Sequence, residues 1–193
     1  MESGLIKEAF MNSKIVMIGD YPYFANSISD GNPALTMDLL DEIVGSFQRL
    51  SDLDCDLFIA PEAMGIPYAT ALTMRTGIPI QIIRKRGLGL PDEVVLEKST
   101  GYETSKMYMH SIPKGSKAIL VDDVISTGHT LKSTIQKLRE SGLIIEEALI
   151  VLNKCPDLKA IENETGLAIH TLIDVKVVDG KPVILDSKDE GFF

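Results

Sequence analysis

Four short runs in the chain are almost continuously apolar: DLFIAP (Asp56 to Pro61), IPIQIIR (Ile78 to Arg84), KAILVDD (Lys117 to Asp123) and EEALIVLN (Glu146 to Asn153). They carry β-branched residues and lack the strict alternation of a strand with one wet face. That pattern predicts strands buried on both faces of a parallel sheet. Between the runs, apolar positions take up a helical period. Met37, Leu40, Val44 and Phe47 form one stripe, and Leu131, Ile135 and Leu138 form another. Gly77 and Gly142 fall where helix C-termini are expected.

Strand and helix in alternation predict an α/β fold with a doubly wound, mostly parallel sheet. Two segments interrupt the alternation. Residues 15–35 set the aromatics Tyr21, Tyr23 and Phe24 among Gly, Pro, Asn and Asp, and read as a flap or hood over one end of the sheet. Residues 86–110 (RGLGLPDEVVLEKSTGYETSKMYMH) are too long for a simple connection and read as a mobile lid loop. With these two attachments, residues 1–193 are expected to form a single domain.

Composition narrows the function. The chain has 19 Lys+Arg against 28 Asp+Glu, a formal charge of −9, which disfavours nucleic acid as a partner because phosphate neutralisation needs a clustered basic excess. The two cysteines, Cys55 and Cys155, show no CxxC spacing, and the three histidines do not cluster with them, so no zinc site is expected. The opening stretch MESGLIKEAFMNSK lacks a basic segment followed by an apolar one, and no apolar run approaches the roughly 18 residues that span a bilayer. The expectation is a cytoplasmic protein with no membrane partner.

Ligands of open α/β sheets bind beyond the carboxyl ends of the strands, and three such ends carry unusual residues. In ILVDDVISTGHT (Ile119 to Thr130) an apolar strand runs into Asp122 and Asp123, and a small hydroxyl-rich loop then opens a helix. The free N–H groups of a helix start and the hydroxyls of Ser126, Thr127 and Thr130 suit a phosphate, with Gly128 allowing close approach. The Lys of a Walker loop is missing, so triphosphate hydrolysis is not favoured. Two carboxylates accept hydrogen bonds and can grip the diol of a sugar, or hold Mg2+ through water beside a diphosphate. A ligand with both a diol and a phosphate reconciles the acids with the anion loop. The second strand end, APEAMG (Ala60 to Gly65), places Gly65 at the start of an apolar helix. The third, RKRG, gathers the cations Arg84, Lys85 and Arg86.

The residues VDDVISTGHT (Val121 to Thr130) resemble the signature of type I phosphoribosyltransferases, which bind 5-phosphoribosyl 1-diphosphate (PRPP). The resemblance extends to PEAMGIPYATAL, IRKRGLGLP and TGYETSK, and so covers most of residues 15–153. It looks closest to the archaeal hypoxanthine/guanine phosphoribosyltransferases, whose sequences resemble adenine phosphoribosyltransferases. The resemblance implies that Ser126, Thr127, Gly128, His129 and Thr130 bind the 5-phosphate, and that Asp122 and Asp123 bind the diol and, indirectly, Mg2+. It implies that Glu62, Ala63, Met64 and Gly65 meet the diphosphate, often through a strained peptide. Arg84 and Lys85 join the PRPP set, reaching in part into a neighbouring subunit, which implies a homodimer.

Tyr102 matches the lid tyrosine of adenine enzymes and, with Glu103 and Asp123, makes up the catalytic expectation. Tyr21, Tyr23 and Phe24 are candidates to stack on a purine. The chain also departs from its models. Met64 stands where adenine enzymes carry Arg, Gly101 where they carry Glu before the tyrosine, Ser126 where eukaryotic-type hypoxanthine/guanine enzymes carry Asp, and His129 where Gly is usual. The implied activity is transfer of phosphoribose to hypoxanthine, with guanine as second base. Adenine or xanthine as the base, and a non-catalytic PRPP sensor, remain open alternatives.

Overall fold

The computed structural model describes residues 4–19, 21–100 and 103–187. Helix α1 (Leu5–Met11) leads into the hairpin β1 (Lys14–Ile18) and β2 (Tyr21–Ala25), the single turn α2 (Ser27–Asp30) and the longer α3 (Met37–Leu50). Then follow β3 (Leu57–Pro61), α4 (Gly65–Thr76) and β4 (Ile80–Ile83). A second hairpin, β5 (Glu93–Thr100) and β6 (Glu103–His110), precedes β7 (Lys117–Ile125), α5 (His129–Glu140), β8 (Ile144–Asn153), α6 (Leu158–Thr165), β9 (Ala168–Val178) and β10 (Lys181–Ser187).

Six strands form the central sheet in the order β10-β9-β8-β7-β3-β4. All neighbours are parallel except β10, which runs antiparallel to β9 along the edge. The four apolar runs fall on β3, β4, β7 and β8. Their continuity has the expected cause, seen best in β7, where Ala118 to Val121 are all buried. Period 2 sends Ile119 and Val121 toward Phe47 of α3 and Tyr68 of α4. It sends Ala118 and Leu120 toward Ile135 and Leu138 of α5 and Ile161 of α6. A sheet covered on both faces leaves no position for an alternating polar residue, and each large aliphatic side chain so buried contributes about 1.5–3 kcal/mol.

The helices also follow the sequence, with one shift of face. The Thr36 hydroxyl caps α3 by accepting from Leu39 N–H at 3.3 Å. The buried stripe is Leu39, Ile43, Val44 and Phe47, whereas Met37 is 72% exposed and Leu40 half-buried. Met37 lies at the margin of the stripe in the first turn, so its place in the apolar pattern was misleading. Gly77 ends α4 in the left-handed region (φ +76) with its N–H on the Thr73 carbonyl. Gly142 (φ +99) lies just beyond the Ser141 cap of α5.

Neither interrupting segment is a plain loop. Residues 15–35 hold the β1–β2 hairpin and α2. Residues 93–100 and 103–110 pair as an antiparallel hairpin, with Glu93 opposite His110 and Thr100 opposite Glu103. The hairpin is rooted on the main sheet by two backbone hydrogen bonds between Arg84 and Tyr108, both 2.8 Å. From β3 the chain moves outward to β4 on one side, while β7 lies on the other side of β3. The strand order reverses there, so a crevice opens outside the carboxyl ends of β3 and β7.

Candidate active site

The β7 strand leaves β3 after the Ile59–Leu120 pair but stays with β8 through Asn153. The divergence exposes the two residues that follow Val121 to the crevice. Asp123 N–H donates to Asp122 Oδ1 at 3.0 Å, which ties the Asp122 carboxylate to the backbone of its neighbour. Burial lifts Asp122 well above the ordinary carboxylate range, and the neighbouring Asp123 charge adds to the rise. Burial also raises Asp123, while the side chains of Ser29 and Asp122 pull it partly back. None of the groups that shift either acid is a lysine or arginine. Burial, then the two acids, drives up the Tyr68 hydroxyl behind them, which donates to the Ile28 carbonyl at 2.5 Å.

The chain then turns through exposed Ser126 and Thr127 into α5, whose N-terminus has no side-chain cap. Its first N–H groups are therefore available to an anion. Gly128 is the N-cap at φ +74, and a Cβ there would lie 2.1 Å from Ile161 Cδ1. His129 is exposed and keeps its Nδ1 3.0 Å from Thr127 Oγ1, off the cavity wall, whereas Thr130 lines it.

Across the crevice, β3 ends at Pro61 and the Glu62–Ala63 peptide is cis. Glu62 ties this turn to the end of β4: its N–H donates to the Ile83 carbonyl and its carboxylate accepts Lys85 N–H, both at 2.8 Å. The helix α4 starts at Gly65, where a Cβ would stand 2.4 Å from the Val121 carbonyl oxygen. Only glycine lets this helix approach β7 so closely. Lys85 lines the crevice. Arg84, one residue earlier, does not: its guanidinium faces Glu93 at 3.6 Å, and its Nε is buried with no partner.

The strand ends and loops enclose a cavity of about 450 Å³. Its wall brings together Glu62, Ala63, Met64, Lys85, Asp122, Asp123, Ser126, Thr127, Gly128 and Thr130 from the sequence-derived set. It also includes Ser29, Met107 and Thr134, which no motif signalled. Two of the three aromatic candidates have other partners. Phe24 is 2% exposed, packs edge-to-face on Phe10 at 5.1 Å and carries Lys154 Nζ 4.2 Å from its ring centre, so it is a core residue. Tyr23 donates its hydroxyl to Asp30 at 2.6 Å. Tyr21 opens β2 and Glu103 opens β6, but their side chains lie outside the described set, as does Tyr102 altogether.

A cavity with paired acids at a strand end and an uncapped helix start is chemistry that other proteins can be compared for. The model of the phosphoribosyl transferase domain matches residues 34–177. The chain belongs to this family. Among relatives of this phosphoribosyltransferase, the hypoxanthine/guanine phosphoribosyltransferase of Methanobrevibacter ruminantium is 45% identical over 181 residues, 93% of this chain and 96% of that protein. The protein of the same name from Methanohalophilus mahii is 40% identical over 186 residues, 96% of this chain and 97% of its own. A crystal structure of adenine phosphoribosyltransferase from Thermoanaerobacter pseudethanolicus matches with a TM-score of 0.72 at 21% identity, covering 88% of this chain and 99% of that one. At that identity the likeness speaks for the fold. The matched segment of this phosphoribosyltransferase contains the paired acids, the uncapped helix start and the Glu62–Met64 turn.

Proposed function

We propose that the protein transfers the 5-phosphoribosyl group of PRPP to hypoxanthine, and also to guanine, releasing diphosphate and forming the 5-monophosphate. The observation that carries this reading is the meeting, in one cavity, of two cation-free acids and an uncapped helix start. Near-full-length similarity to proteins named hypoxanthine/guanine phosphoribosyltransferase supports the choice of base.

In this reading the Ser126–Thr130 loop holds the 5-phosphate and Asp122 with Asp123 accepts the ribose hydroxyls. The diphosphate then extends toward the Glu62–Met64 turn and Lys85. As the bond at C1 stretches, positive charge grows on the sugar ring over the two acids, and negative charge grows on the leaving group beside Lys85. Each well-aimed group of this kind contributes about 3 kcal/mol to the transition state. Two dried carboxylates without a cation suit Mg2+. Asp122 and Asp123 would hold the ion indirectly, through water and substrate oxygens; among the described residues no group of three or more His, Cys, Asp or Glu is placed to hold a metal. Bound there, magnesium would neutralise charge on the diphosphate.

The β1–β2–α2 segment serves as the hood and the β5–β6 hairpin as the lid of one domain, with Tyr102 and Glu103 as the candidates that close on the base. Arg84 acts in the same PRPP set, in part toward a neighbouring subunit of a homodimer. No helix among the described residues is long and apolar enough to cross a membrane, and we place the protein in the cytoplasm.

The test is diphosphate release by the purified protein with PRPP and magnesium, with hypoxanthine, guanine, adenine and xanthine supplied separately. Release with hypoxanthine and guanine is expected. Release with adenine alone would overturn the base, and release with none would overturn the enzyme.

A further inference from the structure

The one-turn helix α2 is pinned from several directions. Asn26 Oδ1 accepts the N–H groups of Ile28 and Ser29 at 2.8 and 3.0 Å. Asp30 accepts the Tyr23 hydroxyl at 2.6 Å and the Asn26 N–H at 3.1 Å. From the opposite side Tyr68 of α4 donates to the Ile28 carbonyl. These bonds fix Ser29 on the cavity wall beside Asp123. Its Oγ is sealed from water and has no hydrogen-bond partner. The hydroxyl is near enough to Asp123 to offset part of the effect of burial on that acid, but it lies outside hydrogen-bond geometry.

A buried hydroxyl without a partner is costly, and one on a residue that lines a polar cavity has a purpose available to it. Carboxylates accept hydrogen bonds and never donate them when ionised. A sugar hydroxyl that donates to Asp123 therefore keeps lone pairs that neither acid can satisfy, and binding removes the water that served them. A donor on the same wall completes the arrangement.

We propose that Ser29 is a PRPP-binding residue: a turn about its one side-chain torsion carries the hydroxyl from its sealed position to the cavity, where it donates to an oxygen of the ribose diol held by Asp122 and Asp123. The inference deepens the reading of the cavity as the PRPP site and rests on it. It gives α2, the turn of helix after the N-terminal hairpin, a direct contact with the sugar, whereas the sequence suggested only aromatic contacts with the base.

The experiment compares Ser29→Ala with the unaltered protein in two ways. In initial rates with hypoxanthine, the KM for PRPP is expected to rise about five- to tenfold, the size of one hydrogen bond. The change falls on that KM rather than on kcat, and the KM for hypoxanthine stays in place. In thermal unfolding, free Ser29→Ala is expected to melt at or above the unaltered protein, because the lost hydroxyl had no partner there. PRPP with magnesium then raises the melting temperature of the variant less. A rise in the KM for hypoxanthine instead would assign Ser29 to the base and overturn the proposal. A free variant that melts lower, with an unchanged response to PRPP, would make Ser29 a structural residue and overturn it too. The PRPP-induced shift can be read even if no purine is turned over, so failure of the functional reading and failure of this inference are separable.

Discussion

Gly128 and Ile161 touch across the start of α5 so closely that a methyl group on the glycine would lie 2.1 Å from the isoleucine Cδ1. Gly128 is also at φ +74, which a side chain resists on its own. The two effects separate on mutation. Ile161 can swing its terminal methyl aside, but the backbone conformation cannot be relieved in this way. Gly128→Ala is expected to lose about 1–3 kcal/mol of stability, measured by urea unfolding, and to weaken the response to PRPP. Adding Ile161→Val should recover only the part due to the clash.

Gly65→Ala presents the opposite case. The obstacle is the Val121 carbonyl, 2.4 Å away, a backbone atom in the middle of the sheet. No rotamer change removes it, so α4 must move off β7. A loss of roughly 2–4 kcal/mol is expected, the range of core overpacking and beyond. Urea unfolding that leaves Gly65→Ala as stable as its parent would show that α4 does not sit this close.

Asp122 sets stability against binding. Its folded pKa is raised above the ordinary carboxylate range by burial, so at mildly acid pH the folded chain holds a proton that the unfolded chain has released. Stability from this group is present at acid pH and is lost as pH rises through the raised value. Asp122→Asn removes the charge, so at pH 7 the free variant is expected to melt a few degrees higher, at about 2–4 °C per kcal/mol for a chain of this size. Its stability should also fall less between pH 4 and pH 7. The same variant should lose the PRPP-induced shift. Thermal melts at several pH values, with and without PRPP, check all three outcomes.

Lys85 and Lys132 offer a matched pair of cations. Lys85 lines the cavity, whereas Lys132 pairs with Glu164 at 2.8 Å on the outer face of α5. Lys85→Ala is expected to reduce kcat/KM for PRPP about 10²-fold, as removal of one transition-state donor does. Lys132→Ala is expected to leave it within twofold, since exposed ion pairs contribute about 0–1 kcal/mol. Equal effects from the two changes would remove Lys85 from the site.

The strands that were legible in the sequence are those whose two faces are both apolar. β9 was not, because His170, Thr171 and Asp174 interrupt its apolar run. In the structure Thr171 is fully buried, with its hydroxyl 3.4 Å from Asp174 Oδ1, and that same oxygen accepts Asn153 Nδ2 at 2.9 Å. Polar residues satisfied by one another can occupy a buried strand, and a hydropathy pattern cannot see the pairing. The acids and the loop of β7 were legible because their chemistry is local in sequence. Which way a side chain faces was not. Arg84 and Lys85 are adjacent, yet the alternation of extended backbone sends one toward Glu93 and the other into the crevice. Phe24 reads as a ligand-stacking aromatic, but its partners Phe10 and Lys154 come from distant parts of the chain. Ser29 carries no signal at all until α2 is folded against β7.

The reversal of strand order between β3 and β7 also bears on how the molecule assembles. Leu57 pairs with Ala118, so the two walls of the crevice come from segments separated by α4, β4 and the whole β5–β6 hairpin. Closing so long a span costs chain entropy before the contact yields any return, and parallel pairing of this kind forms slowly. The β7 wall brings the acids and the anion loop, the β3 wall brings the Glu62–Met64 turn with Lys85 beside it, and the site is complete only when both are in place. Ligand recognition is thus acquired late, after the register of the central strands is set, and a refolding chain regains helix well before it regains the capacity to bind.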